Sequence, residues 1–412
     1  MLDEDPYDRN NDEDIDEENA IQEEYQIWKK NSPYLYDVLL THGLEWPSLT
    51  INWLPTIDTP NKSYLSLHKM VIGTHTSNTE QEYLMIAKTR LPISEKQLSS
   101  SDIKDYNNKD AITAFTKNEN KIEIETKINH QGEVNKARIK PQQYNIIATK
   151  PPCGEVHIFN YFKHPTTPTD KEVKPELRLQ GHSQEGFGLN WSSIKDGYLV
   201  SGGNDNCVLI YDTTSGKSSP VLSYTNEHDK AVNDVCFNKK VDYIFASCSD
   251  DRSISLYDYR QEKSICKTIA HDNEVNSIDF CPGNEFILIS CSSDQTCALW
   301  DLRNLQIKLH SFEHHQDKVI GVKWNCQHHN MFASFSDDRR VLVWDVAQIG
   351  GTIATSDNED GPSELIFTHG GHTSLINDVD WNVNEDLMCA SVSEDNVVQI
   401  WEMNNDIYYN DK

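Results

Sequence analysis

HDNEVNSIDFCPGNEFILISCSSDQTCALWD, residues 271–301, is the stretch that decides the fold. It opens on His271, reaches Ser290 nineteen positions on and Asp294 twenty-three on, and closes with Trp300-Asp301. The same ruler fits His182, Ser201, Asp205 and Tyr211-Asp212; His228, Ser247, Asp251 and Tyr257-Asp258; His315, Ser334, Asp338 and Trp344-Asp345; and His372, Ser391, Asp395 and Trp401-Glu402. A sixth copy runs from His130 through Thr149 to Phe159-Asn160, with Cys153 where the others carry Asp. Short apolar runs such as Val235-Cys236-Phe237 and Val341-Leu342-Val343-Trp344 lie between the marks, bounded by turn residues, and read as strands. Repetition at this length specifies an array of four-stranded units. The marks share a chemistry: Asp accepts from His and from turn amides, His meets the hydroxyl, and the hydroxyl meets the indole or phenol. Such a satisfied buried chain rigidifies each unit. Six copies read as structure, because a hydrolase needs one exposed nucleophile with an oxyanion hole.

Successive histidines are 52, 46, 43, 44 and 57 residues apart, a period that resembles WD40 repeats. A degenerate seventh unit is expected from Leu49–Trp53, Tyr64–Ile72, Tyr83–Ala87 and Ile122–Glu125, because His42 has no partner thirty residues on and this unit lacks the polar chain. The last unit is one outer strand short, and Tyr36–Leu40 is placed to fill it, tying the two ends together and leaving no open sheet edge. The expected architecture is all-β: a seven-bladed WD40 β-propeller over 33–404 with an N-terminal α-helix at 16–32. A disordered acidic tail is expected over 1–15, a disordered loop over 93–121, an acidic insertion at 350–364 and a tail at 405–412.

The chain of 412 residues has a net charge of −28 and ten cysteines, none in a Cys-x-x-Cys pair. The first 24 residues hold twelve acids against one arginine. This balance disfavours direct contact with nucleic acid or anionic membrane and favours basic protein partners. The scattered cysteines suggest reduced thiols in a cytosolic or nuclear protein, and no apolar run suggests a signal peptide or membrane helix. No metal-ligand spacing, glycine-rich phosphate loop or unpaired catalytic constellation stands outside the repeat, so neither enzyme activity nor a cofactor is expected.

Function is sought where the repeat breaks. Ile21, Tyr25 and Trp28 form one apolar stripe on the helix, which Pro33 is expected to stop. The 57-residue interval holds the insertion, whose Asp357, Glu359, Asp360 and Glu364 carry negative charge beside Leu365-Ile366-Phe367. An apolar helix bordering an acidic loop makes a groove suited to an amphipathic basic helix. An adaptor or substrate receptor for another basic protein is the alternative, although it has no need of the paired helix and loop.

Several segments carry a closer resemblance: Glu23-Glu24-Tyr25-Gln26-Ile27-Trp28-Lys29-Lys30-Asn31, Leu44-Glu45-Trp46-Pro47-Ser48-Leu49-Thr50, Leu302-Arg303-Asn304-Leu305, Glu359-Asp360-Gly361-Pro362 and His369-Gly370-Gly371-His372-Thr373. From about residue 16 to residue 410 the chain resembles the histone-binding WD40 proteins of the retinoblastoma-binding type, the MSI-like subunits of chromatin complexes. The resemblance implies a nuclear, non-enzymatic histone chaperone shared among chromatin assembly, Polycomb, deacetylase, remodelling and acetyltransferase complexes. It implies that the first helix of histone H4, within an H3–H4 dimer, binds Trp28, Tyr34 and Leu35 on one side, Asp357, Glu359, Asp360, Leu365, Ile366 and Phe367 on the other, and Ile407 from the tail. A serine, Ser363, stands where the family has a second proline, which is expected to loosen the loop. The resemblance also implies a channel on the top face for a basic peptide such as the H3 N-terminus, lined by Glu45, His75, Glu133, Asn135, Glu185, Phe187, Asn233, Asn276 and Glu394. Phe187 replaces a usual Tyr, Asn233 and Lys318 replace acids, and Ile320 replaces Phe, so three units of negative charge leave the rim.

Overall fold

The computed structural model describes residues 6–58, 65–77, 79–92, 122–351 and 361–409, with side chains from residue 18. Among these, the strands form seven four-stranded antiparallel sheets. Each is a blade built from consecutive strands, except the last. Blade 7 takes Ile376–Trp381, Met388–Ser393 and Val397–Met403 from the end of the chain and its outer strand, Tyr36–Gly43, from the beginning. Leu39, Leu40 and Thr41 pair with Trp401, Ile400 and Gln399 in that seam. Blade 1 comprises Ile51–Asp58, Leu65–Gly73, Tyr83–Pro92 and Glu123–Asn129.

The core is spread around the ring, with one apolar cluster between each pair of neighbouring blades. Blade 6 residues Met331, Ala333 and Phe335 pack with blade 7 residues Ile376, Val379 and Trp381, and Met388 and Ala390 of blade 7 pack with Ile51 and Met70 of blade 1. Every blade therefore buries both faces, as a propeller requires.

Polar chains hold the blade ends. In blade 5, Asp294 accepts from His271 Nδ1 (2.9 Å), His271 Nε2 accepts from Ser290 Oγ (2.8 Å), and Ser290 Oγ accepts from Trp300 Nε1 (2.8 Å). In blades 4, 6 and 7 the corresponding His–Asp pairs are His228–Asp251 at 3.0 Å, His315–Asp338 at 2.7 Å and His372–Asp395 at 3.2 Å. The chain continues through Ser247 to Tyr257, through Ser334 to Trp344 and through Ser391 to Trp401.

Blade 3 differs at its last link. His182 meets Asp205 and Ser201, each at 2.9 Å, but Tyr211 donates to Gln180 O instead. Ser201 Oγ receives Lys150 Nζ from blade 2 (2.9 Å), and the same ammonium donates to Gly202 O. Burial pushes the Lys150 ammonium down to about 7. In blade 2, His130 turns its Nδ1 to Gly132 O (2.7 Å) in place of an Asp, and burial lowers its pKa to about 3. Blade 1, expected to lack any such chain, has a substitute: Glu82 accepts from the Thr74 hydroxyl and from Thr76 N and Oγ1.

Three expectations need correction. Helix α1 runs Pro6–Leu35, so it starts inside the stretch read as a disordered tail and ends beyond 32. Pro33 lies within its last turn instead of stopping it. Proline has no N–H to offer Lys29 O, and the Ser32 hydroxyl donates to that carbonyl instead (3.0 Å), so the turn stays satisfied. The tail after 404 contains a short helix, α2 (Asn405–Tyr409), where only an extension was read. The loop expected at 93–121 and residues 1–5 lie outside the described residues.

Candidate functional site

Helix α1 reaches the propeller through a narrow stripe: Ile21, Tyr25, Trp28 and Leu35 are half-buried, while Ile27 and Tyr34 on its other faces are exposed. Trp28 is the anchor. Its Nε1 donates to Tyr36 Oη (2.9 Å), whose hydroxyl donates to His369 Nδ1 (2.8 Å). Burial raises the Tyr36 pKa and drives that of His369 well below the ordinary value, so both stay neutral and the relay keeps its direction. His369 stacks on Trp401 at 4.5 Å, and Gln399 Nε2 donates to Gly371 O (2.6 Å). Gly371 is needed for this approach: a Cβ there would collide with Gln399 Oε1 and stand 2.7 Å from Trp28 Cζ2. At the helix start, Arg339 of blade 6 pairs with Glu24 at 3.0 Å.

Helix α2 closes the other side. Asn404 N donates to Leu35 O (2.9 Å), Asn405 donates twice to Asp37 Oδ2, and Tyr408 packs edge-on against His328 at 5.5 Å. The result is a shallow apolar surface at the seam of blades 6 and 7. Trp28, Leu35, Ile366 and Ile407, all partly exposed, sit on one cluster with buried Phe367, and Tyr34 stands beside it, 79% exposed.

Leu365 packs elsewhere, on the cluster that holds Phe312 and Trp344. A bulge explains this: Phe367 pairs with Val343 and Leu365 with Trp344, leaving Ile366 as the extra residue, so Leu365 and Phe367 serve opposite faces of the blade. Asp357, Glu359 and Asp360 lie outside the described residues. Glu364, read as part of the acidic rim, is buried and meets His310 Nε2 at 2.7 Å. Ser363 pins the end of the insertion where it was expected to loosen it, with its hydroxyl donating to Gln348 O (2.9 Å) and reaching Glu364 Oε2 (3.1 Å).

The top-face residues cluster by a different device. The first two strands of blades 4, 5, 6 and 7 each slip register at one residue, and the unpaired residues are Asn233, Asn276, Ile320 and Asn377. A bulge re-aims its side chain. Here three amides cross to the next blade: Asn233 to Val275 O (2.9 Å), Asn276 to Val319 O (2.7 Å) and Asn377 to Ser48 O (3.2 Å). Asn377 escaped the sequence reading, although the signal was there: it stands five residues after its blade histidine, as do Asn135, Phe187, Asn233, Asn276 and Ile320. Asn135 donates to Glu185 Oε2 (3.3 Å) and His75 lies 3.3 Å from Glu133. Phe187, Glu45 and Glu394 are exposed. Lys318 is answered by Asp337 at 2.8 Å, which raises its pKa, so the lysine offsets an acid already on the rim.

Residues 23–93 match a family model described as the histone-binding protein RBBP4 or its counterpart in the CAF1 complex. Residues 218–258, 263–301, 306–345 and 363–402 match the WD domain, G-beta repeat. Among solved structures, the WD40 β-propeller domain of Doa1 is similar with a TM-score of 0.62 and 17% identity, covering 90% of this chain and 98% of that one. The likeness is one of fold.

Proposed function

The chain belongs to the RBBP4/MSI-like histone-binding WD40 proteins, and from that premise we propose that it holds the first helix of histone H4 in the seam between α1, α2 and the 350–364 insertion. The observation that carries this reading is the apolar floor of Trp28, Leu35, Ile366 and Ile407, which sits half-exposed on a rigid core. An amphipathic helix laying its apolar side there would turn its basic side to Asp357, Glu359 and Asp360, and an excess of acid elsewhere would steer it in. In this reading the protein is a nuclear scaffold that presents H3–H4 to chromatin assembly, remodelling and histone-modifying complexes, without catalysis of its own. The mouth of the top face, with Glu45, Glu133, Glu185 and Glu394, is a second seat for a basic N-terminal peptide of H3 type. The test is titration with an H4 first-helix peptide. Leu35→Tyr, which fills the floor, and the triple reversal of Asp357, Glu359 and Asp360 to Lys should each weaken binding at least about tenfold, the loss of one hot-spot contact. Equal binding by the variants would sink the groove. Glu185→Lys should weaken an H3-tail peptide and leave the H4 peptide untouched.

A further inference from the structure

Blade 2 breaks the polar ruler at Cys153, and what surrounds the break is a set of metal-ligand side chains. Cys153, Glu155 and His157 alternate along the turn and into the strand Val156–Asn160, which brings them to one side. Their ligand atoms lie within 4.8 Å of one another, with Cys153 exposed, Glu155 half-buried and His157 fully buried. His157 Nε2 is 3.0 Å from Glu155 Oε2. A cation already occupies the middle: the Arg178 guanidinium donates from Nη1 to His157 Nε2 (2.9 Å), Glu155 Oε2 (3.2 Å) and Gln131 Oε1 (2.7 Å). By accepting from Arg178, the imidazole nitrogen keeps its lone pair turned to that point, while its buried Nδ1 has no partner. Arg178 is 36% exposed, so it can swing out to water.

We propose that Cys153, Glu155 and His157 form a Zn²⁺ site, with Arg178 as the built-in cation that the metal displaces. Thiolate, imidazole and carboxylate are zinc's ligand types, and three protein ligands leave a fourth position for water or the Gln131 carbonyl. On binding, the Cys153 thiol gives its proton to solvent and the sulfur bonds the metal. The metal then joins the turn of blade 2 to its third strand, where the other blades use an Asp. It competes with Arg178 for Glu155, while Gln180 Nε2 stays on Oε1 (3.3 Å).

The test uses the full reduced chain titrated with Co²⁺, whose bond to a thiolate gives a near-ultraviolet charge-transfer band, followed by Zn²⁺ competition. The wild type should show the band and lose it to Zn²⁺. Cys153→Ser, an exposed change that leaves the fold intact, should remove it. Arg178→Gln should bring it up at about tenfold lower metal, the scale on which neighbours of a site act. A wild type without the band, a band that persists in Cys153→Ser, or an Arg178→Gln chain that binds no more tightly would each overturn the proposal.

Discussion

Lys150 carries a titration that the fold opposes. Its pKa falls from the ordinary 10.5 to about 7 because it is buried. Between those values the unfolded chain binds the proton more readily than the folded one, so stability rises with pH across that window, and the penalty is complete below 7. Lys150→Met should therefore flatten the rise in urea midpoint between pH 7 and pH 9 relative to the wild type. A second residue-scale prediction concerns Ser290, which receives Trp300 and serves His271. Ser290→Ala should cost about 1–3 kcal/mol in urea unfolding, the penalty for stranding buried polar partners. At this scale much was legible. His, Ser and Asp recur at constant offsets because the hydrogen bonds between them demand constant geometry. Lys150 was not legible, since its partner Ser201 belongs to the next blade and no spacing rule links the two. The Cys-x-Glu-x-His run was equally invisible as a cluster, because Arg178, which marks its centre, arrives from the outer strand.

Helix α1 is held by few contacts, so single changes should loosen it as a unit. Trp28→Phe keeps the ring and removes the Nε1–H that Tyr36 accepts. It should raise amide exchange across residues 18–35 while the strands keep their protection. Protection unchanged in the helix would mean that packing alone docks it. The apolar stripe Ile21, Tyr25 and Trp28 was readable from its helical period. The helix end was not, because a serine side chain compensates for the proline. Nor was the turning of Leu365, since a bulge depends on the strand it faces, here Val341–Asp345, as much as on its own residues.

For the ring as a whole, closure rests on an ion cluster as well as the seam. Asp378 of blade 7 accepts from Thr50 Oγ1 and Ile51 N of blade 1 and from Arg138 of blade 2 at 2.9 Å and 3.2 Å, with Lys136 at 3.2 Å. The cations around it hold its carboxyl far below the usual carboxylate range despite its burial. Asp378→Asn leaves two buried cations unanswered and should destabilise the molecule by about 3–5 kcal/mol, measured as a lowered urea midpoint. The net charge of −28 acts at longer range: association with a basic histone peptide should slow as salt rises, with a smaller change in dissociation. The seam itself sets an order of events on the ribosome. Leu40 must wait for Ile400, some 360 residues later, and at the usual pace of synthesis that is roughly 20–70 s. Through that interval Tyr36–Gly43 has no neighbour, and Trp28 and Leu35 have nothing to rest on. The surface that receives a partner is thus the last part of the nascent chain to exist, and a chain cut short before blade 7 has no seam to offer.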